Sequence, residues 1–173
     1  MRNENRNKIS KQIQELPEDA RRFCFLIENI DEFEAQNWLT QISLVLPRIH
    51  AVMEVIDHAN NRAECFFALS DIDERFELFC HLKKSLGEKD GYEVGEELIH
   101  NELYGSLSED LADLYFEIKR GLDIINCGQE NLSVALNLWR DGFFLHWGQH
   151  LIDAERHLYH LRVPHQIKTG WRG

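Results

Sequence analysis

Five residues near the C-terminus, His146, His150, Asp153, His157 and His160, recur at helical spacing and fall on one narrow face of a helix. At about 100° per residue they lie within about 80° of one another. An apolar stripe of Phe143, Trp147, Leu151, Ala154, Leu158 and Leu161 runs beside them. Neutral imidazoles one turn apart bind divalent ions, and neighbouring carboxylates complete the shell or orient the ring N–H groups. On a second predicted helix, Asp110, Asp113 and Glu117 form an acidic row with the same offset from an apolar stripe of Leu111, Leu114, Ile118, Leu122 and Ile125. Pairing the two helices about a turn at 127–130 sets Asp110 and Asp113 level with His146 and His150.

Three readings follow. In the first, the histidines sit at the core boundary as a structural network, paired with Asp110, Asp113 and Asp153, which raises their pKa values. In the second, His146, His150, Asp110 and Asp113 hold a divalent metal such as zinc, iron or nickel inside a helical bundle. In the third, Trp139 and Trp147 join Asp153, His157 and the other histidines in a groove for a protein partner. Trp139, Phe143, Phe144 and Trp147 at this spacing read first as core. Arg140 falls level with Glu117, which predicts a partly buried ion pair.

Other candidates carry less. Glu97 and His100 make one ExxH, whereas di-iron bundles need a second ExxH and two further glutamates. Glu54 with His58, and Glu77 with His81, are i,i+4 pairs that suit solvated faces. No GxSxG elbow, phosphate loop or catalytic cysteine setting is present.

The elements that must position these groups are helical. A chain of 173 residues with 43% hydrophobic and 10% aromatic content suits one core and one domain, over 17–163, between a polar lead-in at 1–16 and a tail at 164–173. Pro17 with Glu18 and Asp19 predicts a helix start, with a first helix over 17–30. A second helix is expected over 34–57, kinked or broken at Pro47, and a third from a cap at Ser70 to Gly87. Residues 87–106 read as an irregular loop, Ser108 as the cap of the fourth helix, and 131–161 as one long helix stopped by Pro164. No segment alternates as a strand does.

A net charge of −11, from 30 acidic and 19 basic side chains, disfavours nucleic acid and is compatible with a basic protein partner or a metal. Cys24, Cys65, Cys80 and Cys127 are scattered in apolar surroundings and read as four buried free thiols of a reducing compartment. No secretory leader or membrane span is legible, so a cytoplasmic location is expected, with no membrane partner.

Residues 106–158 resemble the C-terminal part of a bacterial family classed as a domain of unknown function. The resemblance rests on Ser108, Asp110, Leu111, Ala112 and Asp113, then Gly121 and Leu122, then Trp139, Phe143, Trp147 and Gly148. It implies an all-helical domain and supplies no activity; the family pattern admits Asn at 146 and a small residue at 150. The HxxxH spacing also resembles the helix of metal-dependent bundle enzymes of the DNA-damage-inducible B type, which add a histidine from another helix. His50 or His58 would fill that place, although the Arg-Gly-Gln continuation usual there does not follow His150.

The expected fold is therefore an all-α bundle of four to five main helices, its last two an antiparallel hairpin. The favoured function is a non-enzymatic interaction domain without cofactor. The rival is a metal-binding bundle, a hydrolase or transferase.

Overall fold

The computed structural model describes residues 2–56, 72–94, 103–128 and 131–170. Six helices account for nearly all of them, as expected for an all-α chain. Helix α1 (Arg2–Glu28) packs on α2 (Ala35–Met53) and on α4 (Leu107–Asn126). The last helix, α6 (Gly148–Gly170), packs on both α2 and α4, so these four close into a ring around one core. Helix α3 (Ile72–Leu86) lies against α4, and α5 (Leu132–Gly142) precedes α6 and also packs on α4. Helix α4 touches α1, α3, α5 and α6 and is the central element of the bundle.

Helix α1 begins at Arg2 and runs through Pro17, rather than starting there. An internal proline loses a hydrogen bond and crowds the preceding turn, at about 3 kcal/mol. Here it is flanked by Leu16, Ala20 and Phe23, all fully buried, and Ile13 packs against the same core. Burial of that stripe offsets the lost bond, so part of the expected lead-in belongs to the bundle. Helix α2 is likewise helical across Pro47, between buried Leu46 and Ile49. It ends at Met53, short of the expected 57, and its Trp38 Nε1 donates to the Leu26 carbonyl of α1 at 2.8 Å. The expected cap Ser70, with His58, Cys65, Glu97 and His100, lies outside the described residues.

Two strands appear where none was expected. Strands β1 (Gly91–Val94) and β2 (Leu103–Ser106) pair antiparallel, with Tyr92 opposite Gly105. A Cβ at residue 105 would fall 2.3 Å from the Tyr92 ring, so the glycine is what lets that ring lie across the neighbouring strand. Four-residue strands carrying two glycines show too little alternation to be read from sequence.

The hairpin leads directly into α4, whose cap is Ser106 and not Ser108. Ser106 Oγ accepts from the Glu109 amide, while the buried Asp90 carboxylate accepts from the Ser108 amide at 2.7 Å and from Ser106 Oγ at 3.0 Å. Two residues, Asp90 just before the hairpin and Ser106 at its end, thus satisfy the amides left without partners in the first turn of α4. Ser108 itself is completely buried.

The segment expected as one helix over 131–161 contains a π-helical turn, Phe143–Trp147, between α5 and α6, and α6 continues past Pro164 to Gly170. Trp139 and Trp147 are fully buried, which places them in the core and corrects the reading of these two as partner-facing. Trp139 Nε1 donates to the Ile118 carbonyl at 3.0 Å. It reaches that carbonyl because residue 121 is glycine: a Cβ there would sit 2.1 Å from the indole nitrogen. The contact fixes α4 and α5 antiparallel, as expected.

Of the cysteines expected to be buried, Cys24 is, and burial raises its thiol to about 12. Cys80 and Cys127 are exposed, because the ends and outer sides of α3 and α4 face solvent there. Among the described residues, no helix is long and apolar enough to cross a membrane.

Gly121→Ala should destabilise the fold by about 1–3 kcal/mol through overpacking against the indole. In a Trp139→Leu background the same change should cost much less. Urea denaturation of the four proteins checks this, since independent sites would give additive losses.

Candidate functional site

Asp110 sits in the first turn of α4 with 5% of its surface exposed. A buried carboxylate must be hydrogen-bonded or neutralised, and both of its oxygens are engaged. Asp110 Oδ1 accepts from His150 Nδ1 on α6 at 2.8 Å, and Oδ2 accepts from the Tyr92 hydroxyl of the hairpin. One turn along α4, Asp113 Oδ2 lies 3.4 Å from His150 Nε2, and its other oxygen pairs with Arg75 of α3. The expected facing of Asp110 and Asp113 with His150 is therefore present in the structure.

His146 stands one turn before His150, exposed, with the two rings 5.5 Å apart. Asp113, His146 and His150 each offer a donor atom, and these atoms lie within 4.8 Å of one another. Asp110 is buried behind them and does not join the set. Its role is to hold the His150 ring, a carboxylate–imidazole arrangement that fixes the tautomer at metal sites.

The electrostatics follow from His150. With Nδ1–H donating to Asp110, a neutral ring would turn its Nε2 lone pair toward the Asp113 carboxylate. Two acceptors facing each other call for a positive charge between them. A proton supplies one: the Asp110 hydrogen bond, opposed by burial and aided by the charge of Asp113, raises the His150 pKa above its ordinary 6.5. A metal ion would supply another. Burial, and next the Asp110 hydrogen bond, push the Tyr92 phenol well above its ordinary value, so Tyr92 remains a donor.

The remaining members of the ladder separate. His157 is buried and its Nε2 donates to the Lys89 carbonyl at 2.7 Å, since a carbonyl can only accept. Its ring stacks on Tyr92 with centroids 4.7 Å apart. Asp153 accepts from Gln149 at 2.9 Å and lies 3.7 Å from Arg156. His160 is exposed beside Tyr159. His50 donates to Glu155 at 3.0 Å and is not among the three clustered donors, so it is not the additional ligand considered above. Arg140 donates to the Ile56 carbonyl at 2.9 Å, and Glu117 accepts from Arg120 at 2.7 Å.

Helical periodicity does not single out Tyr92, Asp90 or Arg75 as site residues. Tyr92 and Asp90 lie where the sequence shows no sustained helical or strand periodicity, and no local signal pairs the helix of Arg75 with α4. Gly105 opposite an aromatic residue was the one available signal, legible only once the strand register is known.

A family model described as "Domain of unknown function (DUF5063)" matches residues 7–164. The crystal structure of protein BF1032 from Bacteroides fragilis superposes with a TM-score of 0.74 at 23% sequence identity, over 88% of this chain and 92% of that one. That likeness is one of fold. No curated protein matches the chain.

The raised His150 pKa has a defined linkage sign. Its contribution to stability is complete below the unfolded value of 6.5 and is lost as pH rises through the higher folded value. The thermal midpoint of chelator-treated protein should fall across that window, and His150→Asn should flatten the fall. An unchanged slope in the variant would assign the titration to another group.

Proposed function

We propose, for a chain that belongs to this family of domains of unknown function, that it binds a divalent transition-metal ion through Asp113, His146 and His150, between α4 and α6. The observation that carries this reading is the convergence of the three donors within 4.8 Å, with His150 held from behind by Asp110.

Ligand bonds of about 2.0–2.2 Å set tetrahedral donors about 3.4 Å apart, so a modest side-chain closure suffices. Two imidazoles and one carboxylate suit zinc, iron or nickel better than magnesium or calcium, which prefer all-oxygen shells. The Arg75 contact leaves Asp113 Oδ2 directed at His150 while neutralising part of the acidic charge. Three protein donors leave a position for water, whose acidity an ion would raise; this is the chemistry of a metal-dependent hydrolase.

One observation favours a second reading, the protein-interaction domain. Phe144, Leu145, Ile152 and Tyr159 are large, apolar and exposed along the continuous run from the π turn into α6. The net charge of −11 would draw a basic protein to such a domain.

Chelator-stripped protein without a histidine tag should take up about one zinc per chain in calorimetric titration. His146→Ala with His150→Ala should abolish uptake, and Asp110→Asn should weaken it about 10–100-fold while the circular dichroism spectrum is kept. Zinc retained by the double variant, or refused by the unaltered protein, would overturn the metal reading.

A further inference from the structure

His150 presents one ring nitrogen to the proposed ion while the other is held, and the hold runs through two further elements. Asp110 Oδ1 fixes the ring, accepting from His150 Nδ1 at 2.8 Å. A carboxylate turns about its own bond unless its second oxygen is engaged as well. Here Asp110 Oδ2 accepts from the Tyr92 hydroxyl of β1. Tyr92 is confined in turn by α6 and by β2. His157 lies against its ring with centroids 4.7 Å apart, and the Arg156 guanidinium sits 5.8 Å from the ring centre. The backbone of β2 passes so close that a Cβ at residue 105 would stand 2.7 Å from the phenol oxygen.

Pairing of β1 with β2 sets Gly105 beside that ring, and so sets where the hydroxyl stands. With the strands paired, Asp110 is locked and His150 is held at one angle. With them apart, the carboxylate turns and water competes for it. An ion that needs the fixed imidazole binds the first arrangement more tightly, and a ligand with unequal affinities shifts the balance between two states. The effect is reciprocal: pairing tightens the ion by the same factor by which the ion favours pairing. The base of the hairpin is anchored separately, since the Asp90 carboxylate accepts from the Ser108 amide and the Asp90 carbonyl from the Leu107 amide. Loss of the Tyr92 hydroxyl alone therefore leaves the hairpin attached to α4.

We infer that Tyr92 is a positioning residue of the metal site, and that metal uptake and the pairing of β1 with β2 favour each other through Asp110. The inference rests on the metal reading above and names the element that regulates that site. A direct partner of a ligating imidazole is worth about 10–100-fold in metal affinity. Tyr92 acts one step further out, so its hydroxyl is worth about 3–10-fold.

Zinc titration of chelator-stripped, untagged protein, with amide hydrogen exchange on the same samples, tests it. Tyr92→Phe keeps the ring and removes the hydroxyl. It should bind zinc about 3–10-fold more weakly and shift the visible absorption of the cobalt(II)-loaded protein. Gly105→Ala, which drives a methyl group into the phenol, should lower affinity similarly, yet cost no more when added to Tyr92→Phe. In the unaltered chain, zinc should slow exchange of the amides of 91–94 and 103–106 by about the same 3–10-fold. Zinc-saturated Tyr92→Phe should lose that gain, while the core amides of α4 and α6 keep theirs. A Tyr92 that only supports the fold would lower the thermal midpoint and leave zinc affinity and the cobalt spectrum unchanged. That result overturns the inference, as does a hairpin whose exchange is indifferent to zinc, and in both cases the metal site stands. Refusal of zinc by the unaltered chain overturns the metal reading, and this inference with it. If a variant does not fold, the response of hairpin exchange to zinc in the unaltered chain decides alone.

Discussion

A carboxylate taken out of water is the constraint around which this bundle is arranged. Asp110 is buried near the start of α4, and its charge is tolerable only because donors reach it from two other elements, Tyr92 of the hairpin and His150 of α6. Those donors are in turn fixed. Tyr92 is packed against His157, whose own proton goes to the Lys89 carbonyl, and Gly105 leaves space for the phenol ring. Through one acid, the hairpin, the central helix and the last helix are held in a single register. Asp90 strengthens the same corner by closing the first turn of α4.

The parts of this arrangement legible in the sequence were those set by helical periodicity. Asp110 and Asp113 against His150 follow from two stripes and one turn, and the antiparallel pairing is seen again where Trp139 meets Ile118. What periodicity does not encode stayed hidden. The hairpin depends on a tyrosine and a glycine that face each other only after the strands have paired. Arg75 reaches Asp113 from a helix whose position no local signal specifies. Pro17 reads as a helix start because its ring disfavours continuation, and the burial of Leu16 and Phe23 outweighs that local preference.

The residues that carry the family resemblance form a physical set. Gly121 and Trp139 are one contact, an indole seated on a backbone that has no side chain in the way. Ser108 is buried with its amide on Asp90, and Asp110 is the acid that binds the layers. The motif therefore describes how the C-terminal half holds together, which is why it predicts the fold well and chemistry poorly. The three clustered donor residues lie partly outside it, at exposed His146 and at His150.

The π turn at Phe143–Trp147 governs the phase of everything that follows it. A π turn holds about one residue more than an α turn, and each residue advances a regular helix by about 100°. Were this turn wound as ordinary α-helix, α6 would be rotated about its own axis relative to α5. Trp139 would still fit Gly121, yet His150 would no longer face Asp110, and Leu151 would leave the core. The two halves of the last helix are thus cut to different angular settings, joined by a spacer whose length is counted in single residues. A one-residue insertion or deletion there would act like a slipped gear tooth, leaving both halves helical while uncoupling the hairpin from the ring of helices.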